Sequence, residues 1–422
     1  MPTPLAAIVR YARQNSPYYR QLYANLPQTG WQLRALPLID PQNFWQGSSN
    51  IDNWPVLTGP VLDGLVFKTG GSSGDGKLSI YAREEWQHFV RQFGQGMSKS
   101  LQAGDRVANL FFAGDLYASL LFIHGALRYS SVPICEFPFT GAVDDQSLAS
   151  AINEYNITVL AGVPVQLVRF ANWLNQAGCS VFGVRCIMYG GESLFANQRE
   201  VLEKAFPKAC ITSIGCASVD AGLIGACLPD CEVDEHWVFD GDILVEIVDE
   251  TTGEVIDDVD RVGVLVVTNL QRLLMPIVRY PTGDLACWRS PLDTAVRKFA
   301  LRGRAGGGHR IRVGTLSLFP DMIDKALNQL VGPTTWQMVL TRQDDLDQLT
   351  LQIADDVGPP SIKEDTLIDG LRLAFPALAN AQSSGQIALC ARYLPSSAMF
   401  THARSGKLVR VVDQRPYYEV EA

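Results

Sequence analysis

Lys68-Thr69-Gly70-Gly71-Ser72-Ser73-Gly74-Asp75-Gly76-Lys77 sits between two extended-looking runs. Leu65, Val66 and Phe67 precede it, and Leu78 and Ile80 alternate with Ser79 after it. That order reads as strand, tight glycine loop, strand. Glycines at 70, 71, 74 and 76 let backbone N–H groups converge on one anion. Thr69, Ser72 and Ser73 add hydroxyl donors, and Lys77 adds a positive charge. The stretch therefore reads as a phosphate cradle, with a flexible surface turn as the plain alternative. Gly71 to Lys77 also fits G-x-x-x-x-G-K. That loop requires Ser or Thr next and must open a helix. Leu78 follows instead, in an extended run, so a P-loop kinase or ATPase is disfavoured.

Beyond the cradle the chain alternates. A helix is expected over 84–100, from Trp86, Phe89, Val90 and Phe93 at helical spacing. Strands are expected at 107–112, 157–160, 184–188 and 210–214, and helices at 116–127, 146–155, 164–176 and 196–206. Such alternation implies a largely parallel, helix-covered sheet. Near residue 240 the pattern changes. Runs at 243–248 and 263–267 flank Thr251-Thr252-Gly253 and suit antiparallel pairing, as a small β-rich appendage. A third change falls at Gly303-Arg304-Ala305-Gly306-Gly307-Gly308, a good swivel. Helix, two strands, helix and strand follow. The expected organisation is an α/β body, 1–302, and a small mobile α+β domain, 303–422. The first 60 residues, rich in Pro, Asn and Gln, are expected to be irregular. Their aromatics Tyr18, Tyr19, Trp31, Trp45 and Trp54 are expected to pack onto the body.

Bulk composition sets limits. The chain has 422 residues, of which 47% are hydrophobic, enough for a sizeable core. It contains no apolar run of about 18 residues, so no membrane span is expected. Its start lacks the basic-then-apolar order of a secretory signal. A net charge of −9 argues against nucleic acid as a partner. Nine scattered cysteines form no disulfide framework and fit a reduced, cytoplasmic setting.

Several loops fall where open α/β sheets bind ligands. Tyr189-Gly190-Gly191-Glu192 follows one strand, and Gly215-Cys216-Ala217-Ser218-Val219-Asp220-Ala221-Gly222 follows another. Arg279-Tyr280-Pro281-Thr282-Gly283-Asp284 reads as a third loop. Each offers glycine and a carboxylate, and each also reads as an ordinary turn. Arg404-Ser405-Gly406-Lys407 places a lysine on a tight turn near the C-terminus, or simply a solvated charge. Cys227, Cys231 and His236 have a spacing that suits three soft ligands on one zinc ion. No fourth ligand is evident, and Pro229-Asp230 reads equally as a turn.

Taken in order, these stretches resemble the adenylate-forming superfamily of acyl-CoA ligases, luciferases and carrier-loading adenylation domains. The 69–77 loop is similar to that family's (T/S)-S-G-(T/S)-T-G-x-P-K, with Gly76 in place of Pro. Cys216 to Gly222 is similar to Y-G-(S/T)-T-E, with Cys216 for Tyr and Asp220 for Glu. Tyr280 to Asp284 matches Y-x-T-G-D. Gly303-Arg304 resembles the G-R before the hinge, although Gly306 stands where an Asp is usual. Ser405-Gly406-Lys407 resembles the C-terminal S-G-K. Asn15-Ser16-Pro17-Tyr18-Tyr19-Arg20 and the short length resemble the phenylacetate–CoA ligase branch, which favours aryl acids.

The resemblance implies activation of a carboxylic acid by ATP and Mg2+, then transfer to a thiol such as coenzyme A. An acyl carrier protein or an amine is the alternative acceptor, and a catalytically weak nucleotide-binding homologue is the alternative class. A homodimer is compatible with it. It further implies that Thr69, Gly70, Gly71, Ser72, Ser73, Gly74 and Lys77 hold phosphates and that Asp220 holds the metal. Gly190, Gly191, Glu192 and Ser218 would border the nucleotide. Asp284 would accept from ribose, with Arg304 beside it. Tyr117, Tyr189 and Gly215 would line the acyl pocket, and Lys407 would bridge the substrate carboxylate and the α-phosphate.

Overall fold

The computed structural model describes residues 3–68, 77–114, 116–179, 181–191, 194, 196–232, 234–239, 241–304, 311–313, 316–318, 320–332, 334–343, 346–356, 362–383, 387–401 and 408–414. It divides into two compact units. The first is Met1–Val163, Phe182–Ser193 and Lys208–Ala305; the second is Pro164–Val181, Leu194–Pro207 and Gly306–Ala422. Among the described residues no helix is long and apolar enough to cross a membrane.

The first 60 residues correct the expectation of irregularity. They form α1 (Pro4–Asn15), α2 (Pro17–Leu22) and α3 (Pro41–Trp45). Each helix has proline in its first turn, where the missing N–H would be unpaired anyway. Each is preceded by a capping side chain. Thr3 accepts from the Ala6 amide at 3.3 Å, Ser16 from Tyr19 at 3.3 Å and Asp40 from Gln42 at 2.9 Å. Such caps contribute about 1 kcal/mol each. The aromatics do pack inward: Tyr19, Trp45 and Trp54 are buried in one core with Ile277, Tyr280 and Trp288.

The cradle reading holds at its ends. β1 (Gly64–Lys68) and β2 (Leu78–Ala82) pair antiparallel, with Lys68 opposite Leu78. The helix that a Walker loop requires after Lys77 is therefore excluded. α4 (Arg83–Met97) follows, with Glu85 accepting from the Ala82 amide at 3.1 Å.

The alternating region then folds as read, with one strand more, β4, than the four expected. β3 (Arg106–Asn109), α5 (Ser119–Leu127), β4 (Cys135–Phe137), α6 (Asp145–Glu154), β5 (Val159–Gly162), α7 (Pro164–Gln176), β6 (Cys186–Tyr189), α8 (Ala196–Ala205) and β7 (Cys210–Ser213) succeed one another. The five strands form a parallel sheet of order β4-β3-β5-β6-β7. β5 and β6 are buried at every position, as unbroken apolar strands of a parallel sheet should be.

The β-rich part is broader than the two strands read from sequence. β8 (Cys216–Ser218), β9 (Gly222–Ala226), β10 (Glu235–Val238), β11 (Ile243–Val248), β12 (Gly263–Asn269), β13 (Ile277–Trp288) and β14 (Lys298–Arg304) join it. They form one antiparallel sheet of order β11-β12-β13-β14-β10-β9-β8.

In the second unit β15 (Ile311–Val313) pairs with β16 (Leu316–Leu318). α9 (Pro320–Val331), β17 (Trp336–Gln343), β18 (Leu346–Ala354), α10 (Glu364–Ala374), α11 (Pro376–Ser383), β19 (Ile387–Leu394) and β20 (Val411–Asp413) follow. The sheet order is β19-β18-β17-β20. β18 alternates buried and half-buried positions along its length, which places one face on a core with Ile323, Leu327, Leu367 and Leu371.

Candidate active site

The site is built around the turn between β8 and β9. Ser218 and Gly222 are cross-strand partners there, and the Ser218 hydroxyl accepts from the Ala221 amide at 2.9 Å. Gly222 has φ +81°, and a Cβ on it would meet the Asn269 side chain at 2.9 Å. That side chain in turn donates to the Ala221 carbonyl at 2.8 Å. The turn therefore has one conformation available, with Asp220 near its tip.

β2 is tied directly to this turn. The hydroxyls of Ser79 and Tyr81 both donate to the Val219 carbonyl, at 2.7 and 2.8 Å. Arg272 reinforces the tie. It is 1% exposed, donates to the Asp220 carbonyl at 2.8 Å and to the Ile80 carbonyl at 2.6 Å, and lies 3.6 Å above the Tyr81 ring. Glu85, also buried, accepts from the Leu273 and Leu274 amides at 2.6 Å each. Neither tie is legible in sequence, because the groups that Arg272 and Glu85 join here lie far along the chain from them.

Arg279 to Asp284 corrects the third loop reading. It lies inside β13, the longest strand among the described residues. Two bulges reconcile Pro281 and Gly283 with a strand. Val267 faces Tyr280 while Asn269 faces Ile277, so residues 278 and 279 together oppose one residue of β12. Arg279 takes φ +52° there. That backbone, unfavourable for a side-chain-bearing residue, is held from all sides. Its amide donates to Thr268 Oγ1 at 2.8 Å, its carbonyl accepts from Ile39 at 3.1 Å, and its guanidinium meets Glu246 at 2.9 Å. Farther on, Val266 faces Pro281 and Val264 faces Leu285, so residues 282–284 oppose one residue. The bulge sets Asp284 opposite Arg304 of β14.

Tyr280 carries the first bulge to the turn. Its hydroxyl donates to Asp220 Oδ2 at 3.1 Å and accepts from Trp45 Nε1 at 3.1 Å. Burial, then the Asp220 charge, push the phenol well above its ordinary value of 10, so it stays a neutral donor. The Lys77 ammonium stands 5.3 Å from the centre of the Trp45 ring. A cation and a phenol from two distant stretches thus meet on one indole, and the phenol carries the link on to Asp220.

The remaining predicted residues group as follows. The Lys68 amide donates to the Leu116 carbonyl at 2.9 Å, which sets the Tyr117 turn beside the root of the cradle; Tyr117 is half-buried. Tyr189 is buried at the end of β6, and its carbonyl accepts from Ile214 at 2.8 Å. A Cβ on Gly190 would meet Ile214 Cδ1 at 2.3 Å, so the 190–191 and 214–215 loops lie side by side. Gly215 takes φ +118°, and its amide donates to Ser213 Oγ at 3.1 Å. Thr69, Gly70, Gly71, Ser72, Ser73, Gly74, Glu192 and Lys407 lie outside the described residues, as do Gly76, Ser405, Gly406 and Gly306.

Cys227, Cys231 and His236 do not gather around one ion; no metal-holding cluster of three such side chains occurs among the described residues. His236 is buried, with Nε2 3.3 Å from Ser213 Oγ, and burial pulls its imidazole down to about 4. The Cys231 sulfur accepts from the Leu228 amide at 3.4 Å, while Cys227 lies 3.5 Å from Thr212 Oγ1. For magnesium the fit is different. That ion takes one or two carboxylates together with substrate phosphates. Asp220, on a turn that Tyr280 and Trp45 link to Lys77, offers such a carboxylate.

No protein-family model matches the chain. A phenylacetate–coenzyme A ligase of Thermus thermophilus is 24% identical over 384 residues, covering 85% of this chain and 81% of the relative. One from Aromatoleum evansii is 22% identical, covering 97% of this chain and 92% of the relative. A solved 2-hydroxyisobutyryl-CoA ligase in its postadenylation state, in complex with 2-HIB-AMP, superposes with a TM-score of 0.70 at 19% identity. It covers 97% of this chain and 88% of that one. The chain thus has the fold of the adenylate-forming ligases and resembles, along most of its length, their phenylacetate–CoA ligase branch.

Proposed function

We propose that this protein is an AMP-forming acid–thiol ligase acting on a carboxylic, and by preference aromatic, acid. It joins the acid to AMP with release of pyrophosphate, then passes the acyl group to a thiol such as coenzyme A. The observation that carries this reading is the meeting of Lys77 and Asp220 through Trp45 and Tyr280. That relay links a cation suited to phosphate with a carboxylate suited to its metal. The resemblance to ligases whose solved form carries an acyl-AMP supports it.

A carboxylate is a poor electrophile, and attaching AMP supplies a good leaving group. Both reactants are anions, so donors and positive charge must offset repulsion at the α-phosphate. Thr69, Ser72, Ser73, Lys77 and the backbone of Gly70, Gly71 and Gly74 would hold the β- and γ-phosphates. Asp220 would hold Mg2+, which neutralises phosphate charge. Asp284 would accept from the ribose hydroxyls, with Arg304 opposite. Gly190, Gly191, Glu192 and Ser218 would border adenine, while Gly215, Tyr117 and Tyr189 would border the acid. We further propose a body, 1–302, and a lid, 303–422, that brings in Lys407.

Cys216 and Asp220, each a departure from the family pattern, favour a second reading as a nucleotide binder of low activity. Pyrophosphate release, measured with a panel of aryl acids and with coenzyme A, a carrier protein or an amine as acceptor, separates the two. Acid-dependent release is expected. Tight ATP binding with no release across the panel would leave the binder.

A further inference from the structure

Trp45 comes from a segment that none of the family-like motifs includes. It ends the five-residue helix α3. Its ring is 7% exposed and stacks on Trp54, with centroids 5.5 Å apart and planes at 25°. Phe44 packs edge-on against both, and the Trp54 indole donates to the Phe44 carbonyl at 3.0 Å. The ring is therefore locked before it meets the site. Two different parts of it face the site. Its π face lies under the Lys77 ammonium at 5.3 Å, and its Nε1–H donates to the Tyr280 hydroxyl at 3.1 Å. Tyr280 relays that bond to Asp220 Oδ2 at 3.1 Å.

The geometry points to Trp45 as a positioning residue for the phosphate tail of the nucleotide. One rigid ring fixes both the cation that meets the phosphates and, through Tyr280, the carboxylate that meets their metal. This rests on the adenylation reading above. Tryptophan alone among side chains offers both functions here: a strong cation-binding face and an N–H in the ring plane. Phenylalanine keeps the face and loses the donor. Leucine loses both. A phenol hydroxyl can accept from the indole and donate to Asp220 together.

The test compares wild type with Trp45→Phe, Trp45→Leu and Tyr280→Phe. ATP affinity is read by calorimetry with and without Mg2+, and Mg2+ dependence by pyrophosphate release. Thermal unfolding reports whether each variant is folded. Trp45→Leu should weaken MgATP binding about tenfold. Trp45→Phe should keep metal-free ATP affinity within about twofold, yet raise the Mg2+ concentration for half-maximal release at least threefold. Tyr280→Phe should reproduce that metal shift, and the double variant should add little to it. A purely structural role would lower all activities in proportion to the folded fraction and leave the metal midpoint in place. That outcome, or folded Trp45→Leu with wild-type ATP and Mg2+ dependence, overturns the inference alone. A wild-type chain that binds no MgATP overturns the adenylation reading and this inference with it.

Discussion

At the scale of single residues, Asp284 and Cys227 make separable predictions. Asp284 is half-buried, and its amide donates to Thr282 Oγ1 at 3.2 Å within the bulge. A carboxylate placed to accept two ribose hydroxyls contributes about 1.5–3 kcal/mol through charged hydrogen bonds. Asp284→Ala should therefore weaken ATP binding tenfold or more without unfolding the chain. Unchanged affinity by calorimetry would remove Asp284 from the site. Cys227 reports on its neighbour. A hydrogen bond from the Cys231 thiol, working against burial, pulls Cys227 down to about 6 and pushes Cys231 up. The rate of Cys227 alkylation should thus show a midpoint near 6, and Cys231→Ala should move that midpoint above about 8, toward the ordinary range of a thiol. Peptide mapping of labelled protein across pH measures both midpoints. A profile indifferent to Cys231 would refute the pairing.

At the scale of elements, His236 joins the two large sheets of the first unit. It sits on β10, faces Ser213 of β7 and lies 5.6 Å from the Phe299 ring of β14. Burial lowers its imidazole from 6.5 to about 4. The sign follows from proton counting. Between those values the unfolded chain takes up a proton that the folded chain refuses, so stability falls as pH drops and levels off below the folded value. The full effect is about 3 kcal/mol, since each unit is worth about 1.4. Urea unfolding of wild type should lose about that much more than His236→Gln between pH 7 and pH 4. Parallel curves would contradict it. A second element-scale prediction concerns Arg279 and Glu246, each about 5% exposed at the side chain and 2.9 Å apart. Removing one partner strands a buried charge, so Glu246→Ala should lower stability by about 3–5 kcal/mol. Denaturant midpoints measure it. The same elements show what sequence can and cannot carry. The alternation of strands and helices was legible because parallel strands are unbroken apolar runs. The Pro-rich composition of the first 60 residues suggested irregularity, though a capping residue before proline, as in Thr3-Pro4, Ser16-Pro17 and Asp40-Pro41, is also a helix start. Arg279 to Asp284 was misread as a loop because proline and glycine inside a strand are tolerated chiefly at bulges, and bulges leave no signal in sequence. Trp45 and Arg272 left no local signal for the site, since each acts there on groups more than thirty positions away, and Glu85 showed in sequence only as a helix-capping residue.

At the scale of the whole molecule, the proposed division into body and lid rests on Lys407. Ser405-Gly406-Lys407 stands far along the chain from the cradle and beyond the glycines at 306–308. A lysine carried on a separate domain meets the reacting centre only when that domain closes. It then contributes little to initial ATP binding and much to the charge that develops as the acid oxygen meets the α-phosphate. Interactions made only in the transition state show in turnover rather than affinity. By analogy with oxyanion-hole donors, losing such a cation costs ~3–4 kcal/mol, or about 10²–10³ in rate. Thiol attack on a finished adenylate has no α-phosphate charge to gather, so it is expected to need another placement of the lid. Lys407→Ala should therefore lose acid-dependent pyrophosphate release, keep ATP binding by calorimetry, and still consume a supplied acyl-adenylate with coenzyme A. Wild-type adenylation by that variant would refute both the role of Lys407 and the closing lid. Equal loss of both half-reactions would instead make one lid placement serve the whole cycle.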